Sequence, residues 1–103
     1  METAKFEKLK AIDKLVAGPE MDETIARQFI ENALLDDYST YPGPSEKVVE
    51  KLKNLGLFVV DGQRGPTEFI CTIVKGKRDI VTSYEATLPL ARCRAALKAM
   101  LEE

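Results

Sequence analysis

Thr67-Glu68-Phe69-Ile70-Cys71-Thr72-Ile73-Val74-Lys75-Gly76-Lys77-Arg78-Asp79-Ile80-Val81-Thr82-Ser83-Tyr84 is the stretch whose reading decides the fold. Side chains alternate in a strand, so Phe69, Cys71 and Ile73 face one way and Ile70, Thr72 and Val74 the other. Gly76-Lys77 supplies a tight hairpin turn. Ile80 to Tyr84 then returns antiparallel. Both faces of the first of these strands are largely apolar, which fits a sheet with something packed on each side.

Working outward toward the amino terminus, Leu57 to Val60 is short, apolar and β-branched and reads as a further strand. Asp61-Gly62-Gln63-Arg64-Gly65-Pro66 reads as a turn-rich loop. Gly56 ends a helix whose inner face is Val48, Leu52 and Leu55, with Ser45 as its cap. Asp36 to Pro44 is a loop broken by Pro42-Gly43-Pro44. Before it, Met21, Ile25, Phe29 and Ala33 mark a helix from about Glu20 to Leu35, broadened by Ala26, Ile30 and Leu34. Phe6, Leu9, Ile12 and Val16 mark a first helix, ended by Gly18-Pro19. Toward the carboxyl terminus, Thr87 caps a last helix. Pro89 lies in its first turn, and Leu90, Cys93, Leu97 and Met100 form its apolar stripe. The order α-α-α-β-β-β-α predicts an α+β protein. The expected architecture is a three-layer α/β/α sandwich with a small three-stranded antiparallel sheet between helices.

At 103 residues the chain is one domain. Its net charge of −2 gives no global field for nucleic acid or an anionic membrane, so neither bulk nucleic-acid binding nor membrane association is expected. No signal-peptide apolar region follows Met1-Glu2-Thr3-Ala4-Lys5-Phe6, and no apolar run reaches the length of a membrane span. Cys71 and Cys93 sit in apolar periodic contexts and read as reduced core thiols. The chain has no histidine. That removes the usual neutral-pH base, the Ser-His and Cys-His dyads and the commonest transition-metal ligand. The expectation is therefore a protein that is not an enzyme and takes no cofactor or metal.

Tyr38-Ser39-Thr40, the Val48-Val49-Glu50-Lys51-Leu52 helix, the hairpins and Leu88-Pro89-Leu90-Ala91-Arg92-Cys93-Arg94-Ala95-Ala96-Leu97 follow one another in a suggestive order. With Ala17-Gly18-Pro19-Glu20-Met21-Asp22 at its start, this pattern resembles the phage ABA sandwich domain family of small bacteriophage and prophage proteins. The resemblance runs from about Ala17 onward and is most specific in the last helix. It implies residues 19–103 as the sandwich domain and 1–18 as an amino-terminal amphipathic helix, an extension or oligomerisation arm. Two departures stand out. Tyr41-Pro42-Gly43-Pro44 interrupts the run from Ser-Thr into the helix, and an aromatic expected near Glu46 is absent. The resemblance implies a phage origin and a host-cytoplasm setting, and transfers no catalytic residues.

Candidate binding residues are cationic or aromatic. Lys75, Lys77 and Arg78 form a basic hairpin tip that could grip a phosphate, joined by Arg64; a solvated, edge-blunting turn is the plainer reading. Arg92 and Arg94 lie near the electropositive start of the last helix, where pairing with acids of the second helix is the plainer reading. Tyr38, Ser39 and Thr40 read as a packed tyrosine with capping hydroxyls before they read as a binding edge. The ligand-binding set expected from the sequence is Arg64, Lys77, Arg78, Tyr84 and Arg94. The leading functional expectation is a homo-oligomeric phage accessory protein that sequesters a nucleotide-derived host-defence signal. The alternative is a module that binds a host or phage protein through its acidic second helix or a sheet edge.

Overall fold

The computed structural model describes residues 2–102. Its elements are α1 (Glu2–Lys14), α2 (Pro19–Phe29), a 3-10 turn (Glu31–Ala33), α3 (Pro42–Asn54), β1 (Leu57–Gly65), β2 (Glu68–Lys75), β3 (Arg78–Glu85) and α4 (Leu88–Glu102). The class is α+β, with helices packed on a three-stranded antiparallel sheet of order β1-β2-β3.

The hairpin forms where the alternation places it. Lys75 pairs with Arg78 across Gly76-Lys77, and Gly76 takes φ 64, the left-handed region a II′ turn requires at its first central residue. β1 is longer than its apolar core suggests. The stretch read as a loop continues the ladder, with Asp61 opposite Cys71, Gly62 opposite Ile70 and Gln63 opposite Phe69, until an irregularity at Gly65. Backbone pairing to β2 here overrides the poor strand propensity of Asp and Gly.

The helices begin and end on local chemistry. Thr87 caps α4, its carbonyl accepting from Ala91 N and its hydroxyl lying 3.4 Å from Leu90 N. α3 starts three residues before Ser45, with Pro42 in its first turn where no N–H is missed. α2 stops at Phe29, short of the expected Leu35. Ile30 is extended, Asn32 and Ala33 take φ 62 and 50, and Leu34 and Leu35 end more than 60% exposed. Asn tolerates the left-handed region, so the chain turns away there although the helical period continues on paper.

The helices meet the sheet through α4, with α3 beside it. α1 and α2 pack on one side of α4, and β2 and β3 on the other, while α3 closes over β1. Ala91, Ala95, Ala96 and Ala99 are fully buried, and only small side chains let a helix be approached from all sides. Leu57, Cys71 and Ile73 meet α3 and α4 from the sheet; Met21, Ile25, Phe29 and Ile12 meet α4 from α2 and α1. α1 thus shares its own chain's core. On the sheet's outer face Phe58, Val60 and Tyr84 are 54–56% exposed.

Candidate functional site

Polar side chains converge in two places: inside the helical layers and at the ends of the open sheet face. The interior set is built around α4. Arg92 grips Asp61 of β1, Nη2 donating to Oδ2 at 2.7 Å and Nε to Oδ1 at 3.4 Å, while Nη1 donates to Ser45 Oγ at 2.9 Å. Ser45 Oγ in turn donates to Pro42 O. One guanidinium therefore joins α4, β1 and the first turn of α3, in the two-pronged geometry Arg favours.

Arg94, two residues on, does a different job. Nη1 donates to the carbonyls of Ile12 and Asp13 at 2.9 and 2.7 Å, and Nη2 to Leu15 at 2.7 Å. These acceptors lie at the end of α1, where the helix dipole also favours a cation, and Ile12 O takes the Leu15 amide as well. Nε lies 2.9 Å from Glu85 Oε2 on β3, an ion pair too oblique for a hydrogen bond. Arg94 is 7% exposed, its donors directed into the chain.

The Tyr38-Ser39 segment is ordered in the same way. Tyr38 is fully buried, its hydroxyl donating to Leu34 O. Ser39 donates to Asp22 Oδ1 through both its amide, at 2.8 Å, and its hydroxyl, at 2.6 Å, and its Oγ accepts from Gly18 N. Asp22, 6% exposed, therefore locks the loop before α3 against the start of α2.

The two thiols lie inside this framework. Burial, with Asp61 second, pushes Cys71 up to about 12; burial, with Asp22 second, does the same to Cys93, whose Sγ donates to Tyr38 O. A thiol held protonated is a poor nucleophile. Both pKa values exceed the unfolded value of 9.0, so the folded state holds protons that the unfolded state releases first. Their contribution to stability is complete below pH 9 and declines as pH rises toward 12. Wild type is expected to lose stability across that window more steeply than a Cys71→Ala/Cys93→Ala double variant. Equal slopes in urea titrations at successive pH values would contradict this.

The five residues expected to bind a ligand are not brought together. Arg64 and Tyr84 meet at one end of the outer face, the guanidinium carbon 5.8 Å from the ring centroid, while Arg64 Nε pairs with Glu68 at 3.0 Å. Lys77 and Arg78 lie exposed at the opposite end, roughly 23 Å away at the usual rise per strand residue. Arg94 is in the interior. Arg92 and Arg94 do pair with acids, but with Asp61 and Glu85 of the sheet rather than those of the second helix. The residues missed as a set are Asp61, Ser45 and Asp22.

The outer face is uncharged at its centre and charged at its ends. Its rows are Phe58–Val74–Asp79, Val60–Thr72–Thr82 and Gly62–Ile70–Tyr84. The Thr72 and Thr82 hydroxyls bond each other at 3.2 Å. Among the described residues, no helix is long and apolar enough to cross a membrane, and no group of three or more His, Cys, Asp or Glu is placed to hold a metal ion. Comparison with protein-family models, with curated proteins and with solved structures gives no match.

Proposed function

We propose that this chain is a non-enzymatic binding module whose working surface is the outer face of the three-stranded sheet. The observation that carries the reading is the exposure of Phe58, Val60 and Tyr84 around a central row, Val60–Thr72–Thr82, that holds no charged side chain. Antiparallel sheets facing water alternate apolar with polar residues, and a contiguous apolar patch marks an interaction site. The interior supports the same reading, since Arg92, Arg94, Ser39, Ser45 and Asp22 are bonded within the chain and its thiols are held protonated. A phage accessory role in the host cytoplasm, implied by the sequence resemblance, belongs to this proposal. The test is a photo-reactive benzophenone residue at position 60, with Glu50 as the exposed control site. A discrete protein adduct from position 60 in expressing cells is expected. Adducts no stronger than at position 50 would sink the proposal.

A second reading keeps the nucleotide-derived ligand. Its support is the Arg64–Tyr84 stack, which offers an aromatic plane beside a cation, the pairing a base and a phosphate use. It requires a cyclic dinucleotide or ADP-ribose derivative to raise the melting temperature of wild type, and not of Tyr84→Ala. A screen without a stabilising ligand would end it.

A further inference from the structure

We infer that the groove between α1 and α2, floored by α4, is a binding site for a medium-chain carboxylate, its tail lying over Leu97 and Met100 and its head at Lys8. The groove is on the side of α4 turned away from the sheet, so it and the sheet's outer face stand or fall separately.

Consecutive helices with a short connection ordinarily pack on each other, their axes about 8–10 Å apart. Here α1 and α2 both rest on α4 but make little contact with each other. The gap between them is a groove of about 420 Å³, within the size range of ligand pockets, which helical bundles hold between their helices. Its floor is Leu97, Met100 and Leu101, one i, i+3, i+4 stripe of α4. Ala11, Ile12 and Leu15 form the wall on α1. Leu97 and Ile12 are buried, while Leu15, Met100 and Leu101 are half-buried. A hydrocarbon tail laid along them removes their remaining apolar surface from water.

The polar groups are placed so as to orient that occupant. α1 runs antiparallel to α4, as the Lys5–Glu102 and Asp13–Lys98 pairs require. α2 lines the opposite wall with Glu20, Thr24 and Gln28, one from each successive turn. Leu15 and Glu20 therefore share one end of the groove, and Lys8 and Gln28 the other. Between them Thr24 donates its hydroxyl to Glu20 O at 2.9 Å, so the middle of the groove has no donor to spare. Among the described residues, the side chains of Lys8, Gln28 and Glu20 are engaged by no other side chain. Lys8 attracts an anionic head, the Gln28 amide can donate to it, and Glu20 repels it from the far end. One lysine with no second cation in the groove balances the single charge of a carboxylate rather than the near-double charge of a phosphate. Lys8 and Leu15 stand about 10 Å apart along the helix axis, a length that an extended tail of medium size spans. The flexible thioether of Met100 adapts to its shape.

The test is methyl and amide NMR of the full chain titrated with decanoate to about 5 mM, enough to detect a millimolar dissociation constant. Saturable shifts are expected at Ile12, Leu97, Met100 and Leu101, and none at Val60 on the sheet. The tail acts through buried methylenes, so hexanoate is expected to bind about tenfold more weakly. Decyltrimethylammonium carries the same tail with the opposite charge. It is expected to bind wild type about threefold more weakly than decanoate, as a charge at an exposed rim allows, and the order reverses in Lys8→Glu. Ala11→Phe, at an exposed position on the wall, is expected to fill the groove and abolish binding with an unchanged circular dichroism spectrum. Absence of a saturable shift in wild type overturns the inference. So do equal shifts at Val60, equal affinities for hexanoate and decanoate, or a head-group order that Lys8→Glu leaves unchanged. None of these results touches the reading of the sheet face, whose test at position 60 does not involve the groove.

Discussion

Replacing Arg94 by Met is expected to lower the unfolding free energy by about 3–5 kcal/mol, the usual cost of removing one partner from a buried charged network. The carbonyls of Ile12, Asp13 and Leu15 and the Glu85 carboxylate all lose their cation at once. Met keeps most of the aliphatic stem, so the loss isolates the guanidinium. A domain of this size has only about 5–15 kcal/mol to lose. The damage has a predicted location. α1 is held to α4 by Ile12, by Arg94 and by the Lys5–Glu102 and Lys98–Asp13 ion pairs, the last two partly exposed and weak. Amide exchange in α1 therefore rises more than in β2. Arg94→Lys recovers only part of the loss, because one ammonium cannot reach three carbonyls and a carboxylate from one position. A Met variant within about 1 kcal/mol of wild type in urea unfolding would show that water replaces the guanidinium.

Much of this architecture is legible in the order of residues, and the exceptions share a cause. The alternation from Thr67 to Lys75 gives β2, Gly76-Lys77 gives its turn, and Thr87 with Pro89 gives the start of α4, because each is a local signal with one local solution. β1 beyond Val60 is not local. Asp61 to Gln63 are strand only because β2 lies alongside to receive their hydrogen bonds. The alternation on β2 also does not say which of its two apolar faces α4 takes; the structure has the side of Cys71 and Ile73 buried.

The arginines show the same limit more sharply. Arg92 and Arg94 stand two apart in α4, and their hydrogen-bond partners lie 31 to 82 residues away in sequence. No spacing rule within a helix identifies such partners. One signal was present: alanines at 91, 95, 96 and 99 surround both arginines. A helix so lined is approached on every side, and a cation within it must be buried and bonded. That pattern favours a structural role for Arg94 over a ligand contact.

Asp61→Asn is expected to cost about 2–4 kcal/mol, somewhat less than loss of a fully buried partner, because the Asp61 side chain is one-third exposed and the site can admit water. The Arg92 side chain is 10% exposed and would keep Ser45 Oγ and one amide oxygen as acceptors but lose its counter-charge. Arg92→Met is expected to cost less, since Asp61 can rehydrate and the aliphatic stem stays packed. The double variant should then lie close to Asp61→Asn alone, a coupling of about 1–2 kcal/mol. Additive losses would mean that the two side chains stabilise the fold separately. The pair also bears on the open face. β1 is an edge strand, bonded to β2 on one side only, and it carries Phe58 and Val60 outward and Asp61 inward. Arg92 thus anchors from the inside the strand that supplies the outer surface. Loosening the pair should speed amide exchange in β1 ahead of β3 and weaken whatever docks on Val60. A variant that unfolds more easily yet leaves β1 exchange and docking unchanged would separate the interior network from the face and confine Asp61 to general stability.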